Sequence, residues 1–227
     1  MHWLFLVGAM LAVIAGPQWW VKRTLSRYDK ARPDLAGSGG ELVQHLIKRL
    51  NLKQVTLLSD ADSDYYNPIE KQVCLTKAVA AGKSLTAVVV AAHEVGHAIQ
   101  DHQAYRPLLL RTKIAHFCVR LEQASAYLLI AIPLVMLLTR TPHSGLFMLL
   151  MVVASVVAGV GLTLITLPVE FDASFNRALP LLEKGGYLNK SDLPAAKQIL
   201  TACALTYVAA SLISLLNAWR WLRFARR

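Results

Sequence analysis

The residues best suited to chemistry are His93-Glu94-Val95-Gly96-His97, two histidines four apart with a glutamate directly after the first. Residues four apart share a face of a helix, so both imidazoles can point at one ion, while Glu94, about 100° around, reaches a water on it. The run before the motif, Leu85 to Ala92, includes Val88, Val89, Val90, Ala91 and Ala92 and reads as a helix buried on nearly every side, capped by Ser84. Burying His, Glu and His at the end of such a helix is costly without a partner, and a metal ion satisfies all three. Histidines that are only hydrogen-bonded in a core are the bland alternative.

A catalytic zinc takes three protein ligands and keeps one position open. The extended form of this motif would place a glycine and a third histidine where Gln100 and Gln103 stand. His102 falls about 140° around the helix from His97. Glu122 is possible, although Arg120 beside it makes an interfacial ion pair an equal explanation. Glu170 is the choice for the third ligand: it follows the uncharged block 144–169 directly, in Leu167-Pro168-Val169-Glu170-Phe171-Asp172-Ala173-Ser174. Its bland reading is a helix-terminal carboxylate at a membrane surface. The oxyanion of an attacked carbonyl needs a further donor, and Tyr65, Tyr207 and Arg177 are candidates. Arg177 stands seven residues after Glu170 and so on its helical face, while Tyr207 lies in an apolar segment where its hydroxyl needs a partner. Headgroup pairing and interfacial anchoring are the bland readings of these two.

The elements that must position these groups are mostly helical and apolar. Of 227 residues, 55% are hydrophobic and 17% charged, against about 25% charged in an ordinary soluble domain. Disorder is excluded by that composition. The net charge of +10 beside apolar blocks favours anionic lipid over nucleic acid as the partner. Cys74, Cys118 and Cys203 are widely spaced in apolar contexts and read as small buried hydrophobes. Residues 1–21 read as an uncleaved membrane anchor, followed by Lys22, Arg23, Arg27, Lys30 and Arg32, with Trp19 and Trp20 at the interface. Residues 22–122 form a polar catalytic region: a helix over about 40–50 behind a Ser38–Glu41 capping box, strands at 55–58 and 72–76 with a turn-rich link, then the motif helix. The strand Gln72 to Thr76 could offer an edge to an extended peptide. Residues 123–169 read as a transmembrane helical hairpin, 170–198 as the helix bearing the third ligand, and 199–227 as an apolar segment with a basic tail, all one protease domain.

AAHEVGHAIQ, the preceding DYYNP and QVCLT, the following LPVEFDAS and the late ALTYVAAS together resemble the YugP-type neutral zinc metallopeptidases of bacteria, themselves similar in plan to HtpX-like membrane gluzincins. The resemblance covers roughly residues 20 to 215. It implies a mainly α integral membrane protein, a gluzincin-like zinc protease with a small β hairpin or sheet, the HExxH helix and a transmembrane hairpin. It also implies Zn2+ on His93, His97 and Glu170, with Glu94 as general base. One position departs from the wider gluzincin pattern, which has an aspartate four residues after the ligand glutamate to orient the first histidine; here Ser174 stands there. Asp172 is nearby but expected to point off the Glu170 face.

The expected activity is that of a membrane-embedded zinc endopeptidase hydrolysing peptide bonds near the membrane surface, with membrane-protein quality control as its setting. Its partners would be the lipid bilayer and protein or peptide substrates, with no nucleic acid. The positive-inside rule puts the multi-pass chain in the bacterial inner membrane with its site facing the cytoplasm. A catalytically silent, metal-stabilised membrane scaffold or adaptor is the alternative, but a structural site has no need of Glu94.

Overall fold

The structure is a computed structural model that describes residues 2–139 and 143–206. Its polar part is built around one buried helix. Helix α1, His2–Arg27, leads in and contains Pro17. Helix α2, Gly39–Arg49, starts at the expected capping box: the Ser38 amide donates to Glu41 Oε2 at 2.7 Å and the Glu41 amide to Ser38 Oγ at 3.3 Å. Its Val43 and Leu46 are fully buried.

Three short strands follow, β1 (Thr56–Leu58), β2 (Tyr65–Asn67) and β3 (Gln72–Cys74), in the order β1-β3-β2. Strand β1 runs parallel to β3 and β2 antiparallel to it, with Tyr66 opposite Val73. Two sequence expectations change here. The turn-rich link holds a strand, because Tyr65 and Tyr66 pair with the following residues before Asn67-Pro68 turns the chain. The segment from Gln72 is then the central strand and has no free edge; β2 occupies that edge instead.

After α3, Lys77–Ala81, the Ser84 hydroxyl accepts the Ala87 amide at 3.1 Å and opens α4, Leu85–His102. The valine run of α4 is poor helix material by propensity alone, and burial compensates. Helix α2, the sheet, a later helical turn and α7 all pack on it, and Val89, Ala91, Ala92 and Val95 are inaccessible to solvent.

Helices α5 (Arg106–Thr139) and α6 (His143–Phe171) pack along one another, with Cys118 Sγ 3.8 Å from the Ala158 carbonyl. Pro168 lies inside α6. From Asp172 to Ala178 the helix widens into π form, the Leu179 amide donating to the Ser174 carbonyl, before α7 (Leu179–Lys184), a 3-10 turn (Lys190–Asp192) and a last helix, α8, over residues 193–206. Among the described residues one helix, Val157–Lys184, is long and apolar enough to cross a membrane.

The π turn lies directly on α4. A Cβ placed on Gly96 would sit 2.6 Å from the Ala173 carbonyl oxygen, so the glycine inside the motif is what lets the two backbones touch. The C-terminal end of α1 is tied to the same body: Thr86 Oγ1 donates to the Leu25 carbonyl and Tyr28 to Gln198 Oε1, each at 2.8 Å.

Candidate metal centre

The contact between α4 and the end of α6 brings His93, His97 and Glu170 together, all three buried. Glu170 Oε2 stands 3.2 Å from His93 Nε2 and 3.1 Å from His97 Nε2, and all three ligand atoms lie within 4.8 Å of one another.

The other nitrogen of each ring decides what these atoms are. Gln100 donates through Nε2 to the Val169 carbonyl at 2.9 Å and to Asp172 Oδ2 at 2.8 Å, which turns its Oε1 to His97 Nδ1 at 3.0 Å. Ser174 donates its hydroxyl to the Leu200 carbonyl at 3.3 Å, leaving Oγ to accept from His93 Nδ1 at 3.1 Å. Both Nδ1 atoms therefore carry a proton, and both Nε2 atoms face the Glu170 carboxylate, which, against the effect of burial, raises the affinity of His97 for a second proton. Three such atoms converging in a buried place need a cation between them, a proton on an imidazole or a metal ion. Donor atoms around a tetrahedral ion with bonds of about 2.0–2.1 Å stand ~3.3 Å apart, close to the 3.1 and 3.2 Å found here. A second sign is Glu170 Oε1, a buried oxygen with no hydrogen-bond partner. The residues present fit a divalent metal of the zinc class.

These groups line a cavity of about 150 Å³ together with Glu94, Leu25, Asp64, Tyr65, Tyr66, Arg111, Cys203 and Thr206. Burial pushes the Glu94 carboxyl above its ordinary range, against the pull of His93 and His97. Asp64 is also raised by burial, while the Thr76 amide and hydroxyl donate to it at 2.7 and 3.1 Å. Strand β2 is held to α4 through Asp101, whose Oδ2 accepts from Tyr66 and Lys71, both at 2.6 Å.

Of the expected oxyanion donors, Arg177 is turned elsewhere. Its Nε donates to Asp172 at 3.0 Å, its NH1 to Gln103, and its guanidinium covers the Tyr105 ring. The π turn is the reason: i to i+5 bonding widens each turn, so seven residues no longer return to the face of Glu170. Asp172 points off that face as expected but reaches the site at one remove, through Gln100. Tyr65 lines the cavity. Tyr207 lies outside the described residues, as do the basic tail and much of the apolar segment from 199. Sequence reasoning missed Gln100, Asp64 and Arg111. For Gln100 the signal was present, since residue i+3 on a helix lies beside His97.

The model of one protein family, described as "Putative neutral zinc metallopeptidase", matches residues 3–226. The chain belongs to that family. Zinc is accordingly its metal, and the His-His-Glu group is the place among the described residues that could hold it. A Bacillus subtilis (strain 168) protein named "Putative membrane protease YugP" is 34% identical over 223 residues, which cover 97% of this chain and 95% of the relative. No solved structure matches the chain.

Proposed function

We propose that this zinc metallopeptidase is a membrane-embedded endopeptidase in which His93, His97 and Glu170 hold the metal and Glu94 is the general base. The observation that carries the reading is the buried Glu94 carboxyl lining the same cavity as the ligand set without belonging to it. Zinc held there supplies a Lewis acid that acidifies water and polarises a carbonyl. Glu94 takes the proton of the attacking water and passes it to the amine nitrogen as the C–N bond breaks. Its raised affinity for a proton suits both halves of that transfer. Ser174 and Gln100 hold the imidazoles in one tautomer, and Gly96 keeps α4 against the segment that carries Glu170. The edge strand β2, whose Tyr65 and Tyr66 line the cavity, accepts an extended substrate by strand addition.

The membrane part of the proposal rests on surface chemistry. Trp19, Leu110, Phe117, Val157 and Leu164 are large apolar side chains left exposed on α1, α5 and α6, as lipid contact requires. Arg23 covers the Trp19 ring at 5.2 Å, an interfacial pairing. Helices α1, α5 and α6 then cross the bilayer, the basic cluster from Lys22 to Arg32 faces the cytoplasm, and the metal lies near the surface where α6 ends, within reach of juxtamembrane or unfolded segments.

The test is Glu94→Gln in detergent, with zinc content and casein cleavage read on the same sample. The variant keeps its zinc and loses about 10²–10⁴-fold in turnover. Near wild-type cleavage by that variant would remove the peptidase reading.

A further inference from the structure

The lining of the metal cavity is unbalanced. Asp64, Glu94 and Glu170 contribute three carboxyl groups, and both imidazoles have their Nδ1 side taken up by Ser174 and Gln100. Against them the described lining offers one permanent cation, Arg111, in the second turn of α5. Its side chain is 18% exposed, and its NH2 lies 3.8 Å from Glu170 Oε1, the ligand carboxylate oxygen that lacks a hydrogen bond. At that length the pair is electrostatic, and the guanidinium has five donors in a fixed fork to distribute among its neighbours.

We propose that Arg111 is the group that meets the negative charge developing on the substrate's carbonyl oxygen during hydrolysis; this rests on the peptidase reading. Two expected donors do not compete at this place: Arg177 is bound to Asp172 and Gln103. Tyr65 does line the cavity, but it is 40% exposed and stands on the edge strand β2. Arg111 is more buried and carries a full charge, and beside buried groups a charged donor acts more strongly than it would in water. When water adds to the carbonyl carbon, the π electrons move to oxygen beside the guanidinium while Glu94 takes the proton. When the C–N bond breaks, the electrons return and the proton leaves with the amine. Arg111 keeps its own protons throughout.

The experiment compares wild type, Arg111→Met, Arg111→Lys and Tyr65→Phe as full-length zinc-loaded protein in detergent, with labelled casein as the probe. Zinc content, thermal midpoint, kcat and KM are read for each. Arg111→Met should lose about 10²–10³-fold in kcat with KM within a few-fold of wild type, zinc retained, and Arg111→Lys should recover part of the loss. A kcat within threefold of wild type overturns the proposal. Loss of zinc in step with activity also overturns it, and makes Arg111 a support for Glu170. A large kcat loss in Tyr65→Phe with none in Arg111→Met assigns the donor to Tyr65. Should Arg111→Met fail to fold, Arg111→Gln takes its place as the neutral variant: normal zinc with wild-type kcat in Arg111→Gln overturns the proposal, and a graded loss from Lys to Gln supports it. A wild type that cleaves nothing sinks the peptidase reading and this proposal together, whereas an active wild type with equally active Arg111 variants sinks the proposal alone.

Discussion

The two histidines of the site are held in different ways. His93 leans on one hydroxyl, Ser174, which is itself fixed by a single bond to the Leu200 carbonyl. His97 leans on Gln100, which is anchored twice, and one of those anchors, Asp172, also receives Asn176 at 2.9 Å and Arg177 at 3.0 Å. The contrast is one of depth, since both rings meet a neutral oxygen. Neutral partners fix the tautomer but raise ligand basicity less than a carboxylate does. In the proposed ligand set the metal would be held by two less basic imidazoles, which would leave more of its Lewis acidity for substrate and place the negative charge of the set on Glu170.

The sharpest break in this comparison is Gln100→Ala. It removes the acceptor of His97 and takes one donor from the Val169 carbonyl and one from Asp172, so zinc affinity should fall about 10–100-fold and stability by roughly 2–3 kcal/mol. Zinc competition with a chromophoric chelator and a thermal melt measure the two effects. A smaller effect is expected of Ser174→Ala, about tenfold in zinc affinity and ~1 kcal/mol in stability, because fewer bonds depend on it. Ser174→Asp should move zinc affinity above wild type by placing a charge behind His93. Equal losses for Ser174→Ala and Gln100→Ala would erase the difference in depth. The smallest effect belongs to Arg177→Ala, separated from the ring by both Asp172 and Gln100: below about 1 kcal/mol in stability, with kcat within threefold. A hundredfold drop in kcat would return Arg177 to the reacting centre.

Much of the site could be read in the chain because its local rules are strong. Ser38 and Ser84 announce their helices by capping chemistry, and His93, Glu94 and His97 announce theirs by spacing. Glu170 stood out as the first charge after an uncharged block. What escaped depends on contacts between distant segments. A three-residue strand such as Tyr65–Asn67 is too short to display alternation, so β2 looked like a turn. Gln100 looked like a missing glycine of an extended motif until the carbonyl and carboxylate that orient it arrived from 69 and 72 residues away. Arg111 reads as a membrane-flanking cation in LLLRTK, and only the return of α6 puts it beside a ligand. Arg177 was misplaced by a change of helical period that no propensity scale marks.

The separation of 73 positions from His97 to Glu170 imposes an order on assembly of the proposed ligand set. All of α5 and most of α6 lie between the two ligands. A chain that has emerged only as far as α5 holds two imidazoles and lacks the carboxylate that completes the proposed set, and closing the loop to it carries an entropic cost that rises slowly with its length. The nascent enzyme is therefore blank towards its neighbours, and towards itself, until both long helices have come back onto α4. Metal retention then reports finished assembly: a chain ending after α5 should bind zinc no better than a two-histidine peptide, and competence to cut should appear in one step with the docking of α6.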